Sequence, residues 1–150
     1  MNRTQIEALI PHAGSMCLLE QVVSWNAARI ECIARSQRAS DNPLRADNKL
    51  SSICGIEYAA QAMAVHGGLL AAGDQPRRGY IAVLSNIRWS QPTIDHIECL
   101  IIKAEKITDL AQGANYSFAL FDGDGDGETD SLEAQPIIDG EMLVAYQPID

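Results

Sequence analysis

Basic residues are scarce: 11 Lys and Arg stand against 20 Asp and Glu, a formal net charge of −9. A chain this acidic is a poor match for nucleic acid. Close pairs of cysteines are also missing. Cys17, Cys32, Cys54 and Cys99 lie fifteen or more residues apart with no C-x-x-C among them, so neither a zinc site nor a disulfide framework can be read from the spacing. They read as buried free thiols of a reducing cytoplasm. The opening stretch, MNRTQIEALIPHAG, holds no continuous apolar run and so is not a secretory signal. The longest apolar stretch, near residues 53–73, is interrupted by Glu57, Gln61 and His66. It reads as a buried helix and not as a membrane span. No internal repeat is visible. What is present, 47% hydrophobic and 21% charged over 150 residues, fits one globular domain across residues 1–150.

The acidity is concentrated. Residues 122–133, DGDGDGETDSLE, hold six acids and no base, while the other 138 residues carry 14 acids against 11 bases. Asp122, Asp124, Asp126, Gly127 and Glu133 fill positions 1, 3, 5, 6 and 12 of an EF-hand calcium loop. An EF-hand needs a helix on each side, however. Upstream, ANYSFALF alternates as a strand does, and downstream AQPIIDGEMLVAYQP carries Pro136 and then another strand. Position 8, normally apolar, is Thr129. The segment is therefore expected to be an acidic hairpin loop with no dedicated metal.

The remaining chain reads as helix, two strands, long helix, four strands. TQIEALI forms a short helix with Thr4 as N-cap and Glu7 three residues on, closed by Pro11. MCLLEQVVSW and ARIECIARS are strands of a hairpin, and QRASDNPLRADNKL is loop. Ser51 or Ser52 caps the long helix ICGIEYAAQAMAVHGGLLAAG. GYIAVLSNIRW, HIECLIIKAEKI, NYSFALF and GEMLVAYQP complete the strands. An antiparallel sheet needs one face covered, and this chain has one helix apolar enough to cover it. That helix is apolar nearly all round, so it needs cover on its other side too, from a second subunit.

Three stretches carry a resemblance. LIPHAGSMCLLEQVV resembles the opening of the bacterial 3-hydroxyacyl-carrier-protein dehydratases of fatty-acid biosynthesis. GIEYAAQAMAVHG resembles their central helix, and GYIAVLSNIRWSQPTIDHIECL the two strands that follow. The closest likeness is to the divergent branch associated with aryl polyene synthesis. The resemblance implies an α+β hotdog fold, a sheet wrapped round the long helix and paired edge to edge into a homodimer or heterodimer. It implies a lyase that removes water from a 3-hydroxyacyl thioester. The substrate arrives on the phosphopantetheine of an acyl carrier protein, with no other cofactor.

On that reading Glu57 is the catalytic acid. A carboxylate is expensive to bury ionised, so an apolar helix favours its protonated form, which can assist a departing hydroxyl. Gln61, one turn later, is placed to orient it. Backbone N–H groups at Ser52 and Ile53, with Gly55 at the helix start, are placed to polarise the thioester carbonyl. Arg77 and Arg78, the one tight basic pair, suit the phosphate of the carrier arm. The chain departs from the family where the catalytic His is expected, fifteen residues before the Glu. Asn42 stands there, and asparagine cannot remove a proton from carbon. Ser51 and Ser52 replace the usual Pro-Gly. His66 lies nine residues past Glu57, on the opposite side of the helix. His12 has a structural place in the opening motif and a route to the site only across a dimer, and His96 is an exposed residue at the start of a strand. Three classes stay open: a dehydratase with an altered base, a non-catalytic subunit paired with an active dehydratase, and an acyl thioesterase.

Overall fold

The computed structural model describes residues 1–10, 14–71, 79–123 and 135–146. Helix α1 (Arg3–Leu9) is capped by Asn2, not by Thr4. Asn2 Oδ1 accepts from Gln5 N at 3.0 Å, and Gln5 Oε1 accepts from Asn2 N at 2.9 Å. Asn is as good a cap as Thr, and the reciprocal pair satisfies two otherwise orphaned donors. Strand β1 (Gln21–Trp25) and strand β2 (Arg29–Ala34) then form the expected hairpin. Its turn is organised by Asn26, whose Oδ1 accepts from the N–H groups of Ala28 and Arg29. β1 starts later than the apolar run MCLLEQVVSW implies, because residues Gly14–Met16 form a 3-10 turn.

The loop before the long helix contains one tight feature. Ala46 and Lys49 exchange both backbone hydrogen bonds across Asp47 and Asn48, which adopt φ of 52° and 63°. That is the mirror-image turn of two-residue hairpins. Ser51 then caps a 3-10 turn (Ser52–Cys54) that runs straight into helix α2 (Gly55–Leu70). Strands β3 (Gly79–Trp89), β4 (Cys99–Leu110), β5 (Gly113–Gly123) and β6 (Ile138–Tyr146) follow. The acidic segment is thus flanked by β5 and β6, as its alternating neighbours imply. Residues 124–134, which hold most of the EF-hand-like pattern, lie outside the described residues.

All six strands pair antiparallel in the order β1-β2-β4-β5-β6-β3. Residues of alternating parity face α2: Ile30 and Cys32 of β2, Leu100 and Ile102 of β4, Tyr116 and Leu120 of β5. The opposite face carries a smaller cluster of Ile33, Cys99 and Ile101. Gly55 lets α2 lie hard against the sheet. A Cβ there would stand 2.9 Å from Ile138 Cγ2 and 3.0 Å from Leu120 Cδ2. One sheet around one long helix is the hotdog arrangement.

β1 and β3 are the two edge strands of the sheet. β3 pairs only with β6, and its other edge meets no strand among the described residues. Apolar side chains stand exposed along it: Tyr80, Val83, Leu84 and Trp89. Leu84 is opposite Met142 and Trp89 opposite Ile138, so both project on the helix side of the sheet. No helix among the described residues is long and apolar enough to cross a membrane.

Candidate active site

Helix α2 buries Ile56, Tyr58, Ala59, Gln61, Ala62, Met63, Val65 and His66 and leaves one stripe open. Ile53, Glu57 and Ala64 are exposed on it and Ala60 is half-buried. The spacing of three and four residues puts them on one face. This corrects the expectation that Glu57 is buried within the chain. Its carboxylate makes no hydrogen bond or ion pair among the described residues. The apolar surroundings inferred from sequence lie on the other sides of the helix, so nothing among the described residues desolvates the acid.

Gln61 sits one turn past Glu57 but turns away from it. Its Oε1 accepts from Leu18 N at 2.9 Å and its Nε2 donates to Met16 O at 2.7 Å. Both ends of the amide are spent on the segment leading into β1. Asn42, in the position of the missing His, is buried as well. Its Nδ2 donates to Ser36 O at 2.9 Å and to the Tyr58 hydroxyl at 3.1 Å, and its Oδ1 accepts from Leu44 N at 2.9 Å. Asn42 therefore closes its own loop and clips that loop to α2.

The start of the helix is also more occupied than its sequence implies. Ser52 N donates to Pro92 O at 2.9 Å, and Ser52 Oγ donates to Gln91 O. Ile94 N donates to Leu50 O, so residues 50–52 lie alongside the chain between β3 and β4. Of the two N–H groups expected to face substrate, only that of Ile53 is loosely held, 3.4 Å from Ser51 Oγ. Gly55 faces the sheet, where its role is close packing. Arg77, Arg78 and His12 lie outside the described residues.

The other histidines are placed as their spacing implies. His66 is fully buried, with Nε2 2.8 Å from Asn26 O and Nδ1 2.7 Å from the Tyr116 hydroxyl. A carbonyl only accepts, so Nε2 carries the proton and Nδ1 accepts from Tyr116. Burial pulls the His66 pKa below its ordinary value. His96 is exposed in the turn that precedes β4. With both ring nitrogens bonded, His66 is not free to act as a base beside Glu57. Burial pushes Cys32 up to about 12, which leaves it an inert thiol.

The ApeP-like family model, described as ApeP dehydratase, matches residues 4–145. A search of curated proteins gives no match. Among solved structures, the dehydratase heterocomplex ApeI:P from Xenorhabdus doucetiae aligns with a TM-score of 0.77 at 19% identity, covering 97% of this chain and 91% of that one. Zebra fish thioesterase superfamily member 2 aligns with a TM-score of 0.60 at 12% identity, covering 96% and 94%. A thioesterase family protein from Silicibacter pomeroyi gives 0.58 at 11% identity, covering 84% and 82%. At such identities the solved structures show the hotdog fold alone. The family model spans nearly the whole chain, and the chain belongs to the ApeP-like dehydratase family.

Proposed function

We propose that this chain is one half of a 3-hydroxyacyl-carrier-protein dehydratase of aryl polyene-type or fatty-acid synthesis, working in the cytoplasm. The other half is a second hotdog dehydratase that supplies the base. The observation that supports this reading is the position of Glu57. It is the acid on the open stripe that runs from the 3-10 turn along α2, unpaired among the described residues, and the stripe also carries Ile53, Ala60 and Ala64. An exposed acid among apolar and small side chains suits a surface that a partner covers.

In the completed site the partner's base removes a proton from C2 of the acyl chain. Glu57 acts as the acid: a proton passes from it to the C3 hydroxyl, which leaves as water as the C2–C3 double bond forms. The N–H of Ile53 is nearest to hand for the thioester oxygen. Asn42, Gln61, Ser52 and Gly55 act as framework: their polar atoms and close contacts hold the walls of the stripe. Arg77 and Arg78, which follow α2 in sequence, take the phosphate of the carrier arm. A published heterocomplex of two such dehydratases is the structure most like this fold among those compared above.

The test is turnover of a 3-hydroxyacyl N-acetylcysteamine thioester by three samples: the chain alone, a hotdog dehydratase with the loop histidine, and their mixture. The expected result is no turnover by the chain alone and a mixture whose rate exceeds that of the second protein. A mixture no faster than the second protein would make this chain a passive companion. Release of free thiol without enoyl product would make it a thioesterase.

A further inference from the structure

Among the described residues five polar side chains are buried: Gln37, Asn42, Ser52, Gln61 and His66. Three of them, Asn42, Ser52 and Gln61, gather round the start and first two turns of α2. Buried polar groups are costly unless fully bonded, so this concentration needs a reason. At its centre is Tyr58, completely buried and one residue past Glu57. One residue is about 100° of helix, so Tyr58 points into the protein where Glu57 points out.

The Tyr58 hydroxyl lies 3.1 Å from Asn42 Nδ2 and 2.9 Å from Ser36 Oγ. The orientation of the Asn42 amide is set by Leu44 N, which donates to its Oδ1. Its Nδ2 can only donate, so the tyrosine oxygen accepts from it. Ser36 Oγ in turn donates to Leu18 O at 2.7 Å, which leaves it to accept the Tyr58 proton. Three hydrogen bonds thus run in one direction, Asn42 to Tyr58 to Ser36 to Leu18. The N–H of Leu18 is held by Gln61, one turn along the same helix. Burial pushes the Tyr58 pKa up, so the hydroxyl keeps its proton. One helical turn is therefore tied at once to the loop of residues 36–45 and to the segment of residues 16–18.

We propose that Tyr58 is a positioning residue for Glu57. Its hydroxyl fixes the turn bearing the acid against the two segments that border it, so that the carboxyl meets C3 of the substrate in one place. The proposal rests on the dehydratase reading above. A misplacement of about 1 Å can cost about 100-fold in rate. A bond that only stabilises the fold affects melting and leaves turnover by the folded complex untouched.

The experiment uses the complex with the second dehydratase and the same thioester, at a temperature well below unfolding. Tyr58→Phe is expected to lower kcat about 10- to 100-fold with KM within about 2-fold. Asn42→Ala is expected to act through the same bond, so the double variant should be little worse than Tyr58→Phe alone. Ser36→Ala should share the loss and Ser36→Thr, which keeps the hydroxyl, should retain turnover. The serine pair also decides the question if Tyr58→Phe does not fold. Unchanged kcat in Tyr58→Phe and Ser36→Ala, with Glu57→Gln inactive, would overturn the positioning role alone. A fully active Glu57→Gln would overturn the dehydratase reading and this proposal with it.

Discussion

Gln61 spends both ends of its amide on the backbone of residues 16–18. Truncation would leave a buried N–H and a partly buried carbonyl unpaired and a gap beside the helix. Gln61→Ala is therefore expected to cost about 2–4 kcal/mol, read as a lower urea midpoint with unchanged slope. Glu57 has the opposite character. It is exposed and unpaired among the described residues, so Glu57→Gln should change the stability of the chain by less than about 0.5 kcal/mol. His66 sets a pH dependence. Its folded pKa is depressed by burial, with the cation of Lys106 adding to the shift and the Asn26 carbonyl and Asp109 opposing it. The unfolded chain takes up the proton first. Stability is then complete above the ordinary histidine value of about 6.5 and is lost as pH falls toward the lower folded value. His66→Gln keeps a donor for Asn26 O and an acceptor for Tyr116. Its melting temperature should be flatter than that of the unsubstituted chain between about pH 7 and pH 5.5.

At the scale of elements, the tight turn at Asp47-Asn48 and the open edge at β3 are the features most exposed to test. Asn48 holds φ of 63°, where a side chain is strained and glycine is not. Asn48→Gly should raise stability by a few tenths to about 1 kcal/mol in denaturant unfolding. Most elements were readable because their signals are local. The alternation of ANYSFALF needs only the pleat of a strand, and Asn26 in the first hairpin turn bonds groups two and three residues away. At the start of α1 the capping spacing fits Thr4 with Glu7 and, two residues earlier, Asn2 with Gln5, and the chain uses the second pair. The site was harder to read for a physical reason. Gln61 meets Leu18 across 43 residues and Asn42 meets Tyr58 across 16, and no periodicity encodes such partners. The open stripe on α2 was likewise hidden, because alanine and isoleucine look the same in a pattern whether covered or not. The small side chains at Ala60 and Ala64 flanking an acid were the available signal.

At the scale of the molecule, an acid on an open helical stripe and apolar side chains on an edge strand lie on the same side of one sheet. Leu84 and Trp89 project toward that side from β3, with Trp89 58% exposed. An aromatic anchor at the centre of a covered patch carries much of an interface's energy. Trp89→Asp should therefore leave the single chain folded but weaken association with the second dehydratase at least about 10-fold, measured by sedimentation of the mixture. The central claim is that Glu57 of this chain works in a site the partner completes. Its most direct test is kcat of the assembled complex with Glu57→Gln in this chain, after sedimentation has confirmed that the complex forms. The account predicts a fall of about 100-fold or more with assembly intact. Full turnover by that complex would contradict it.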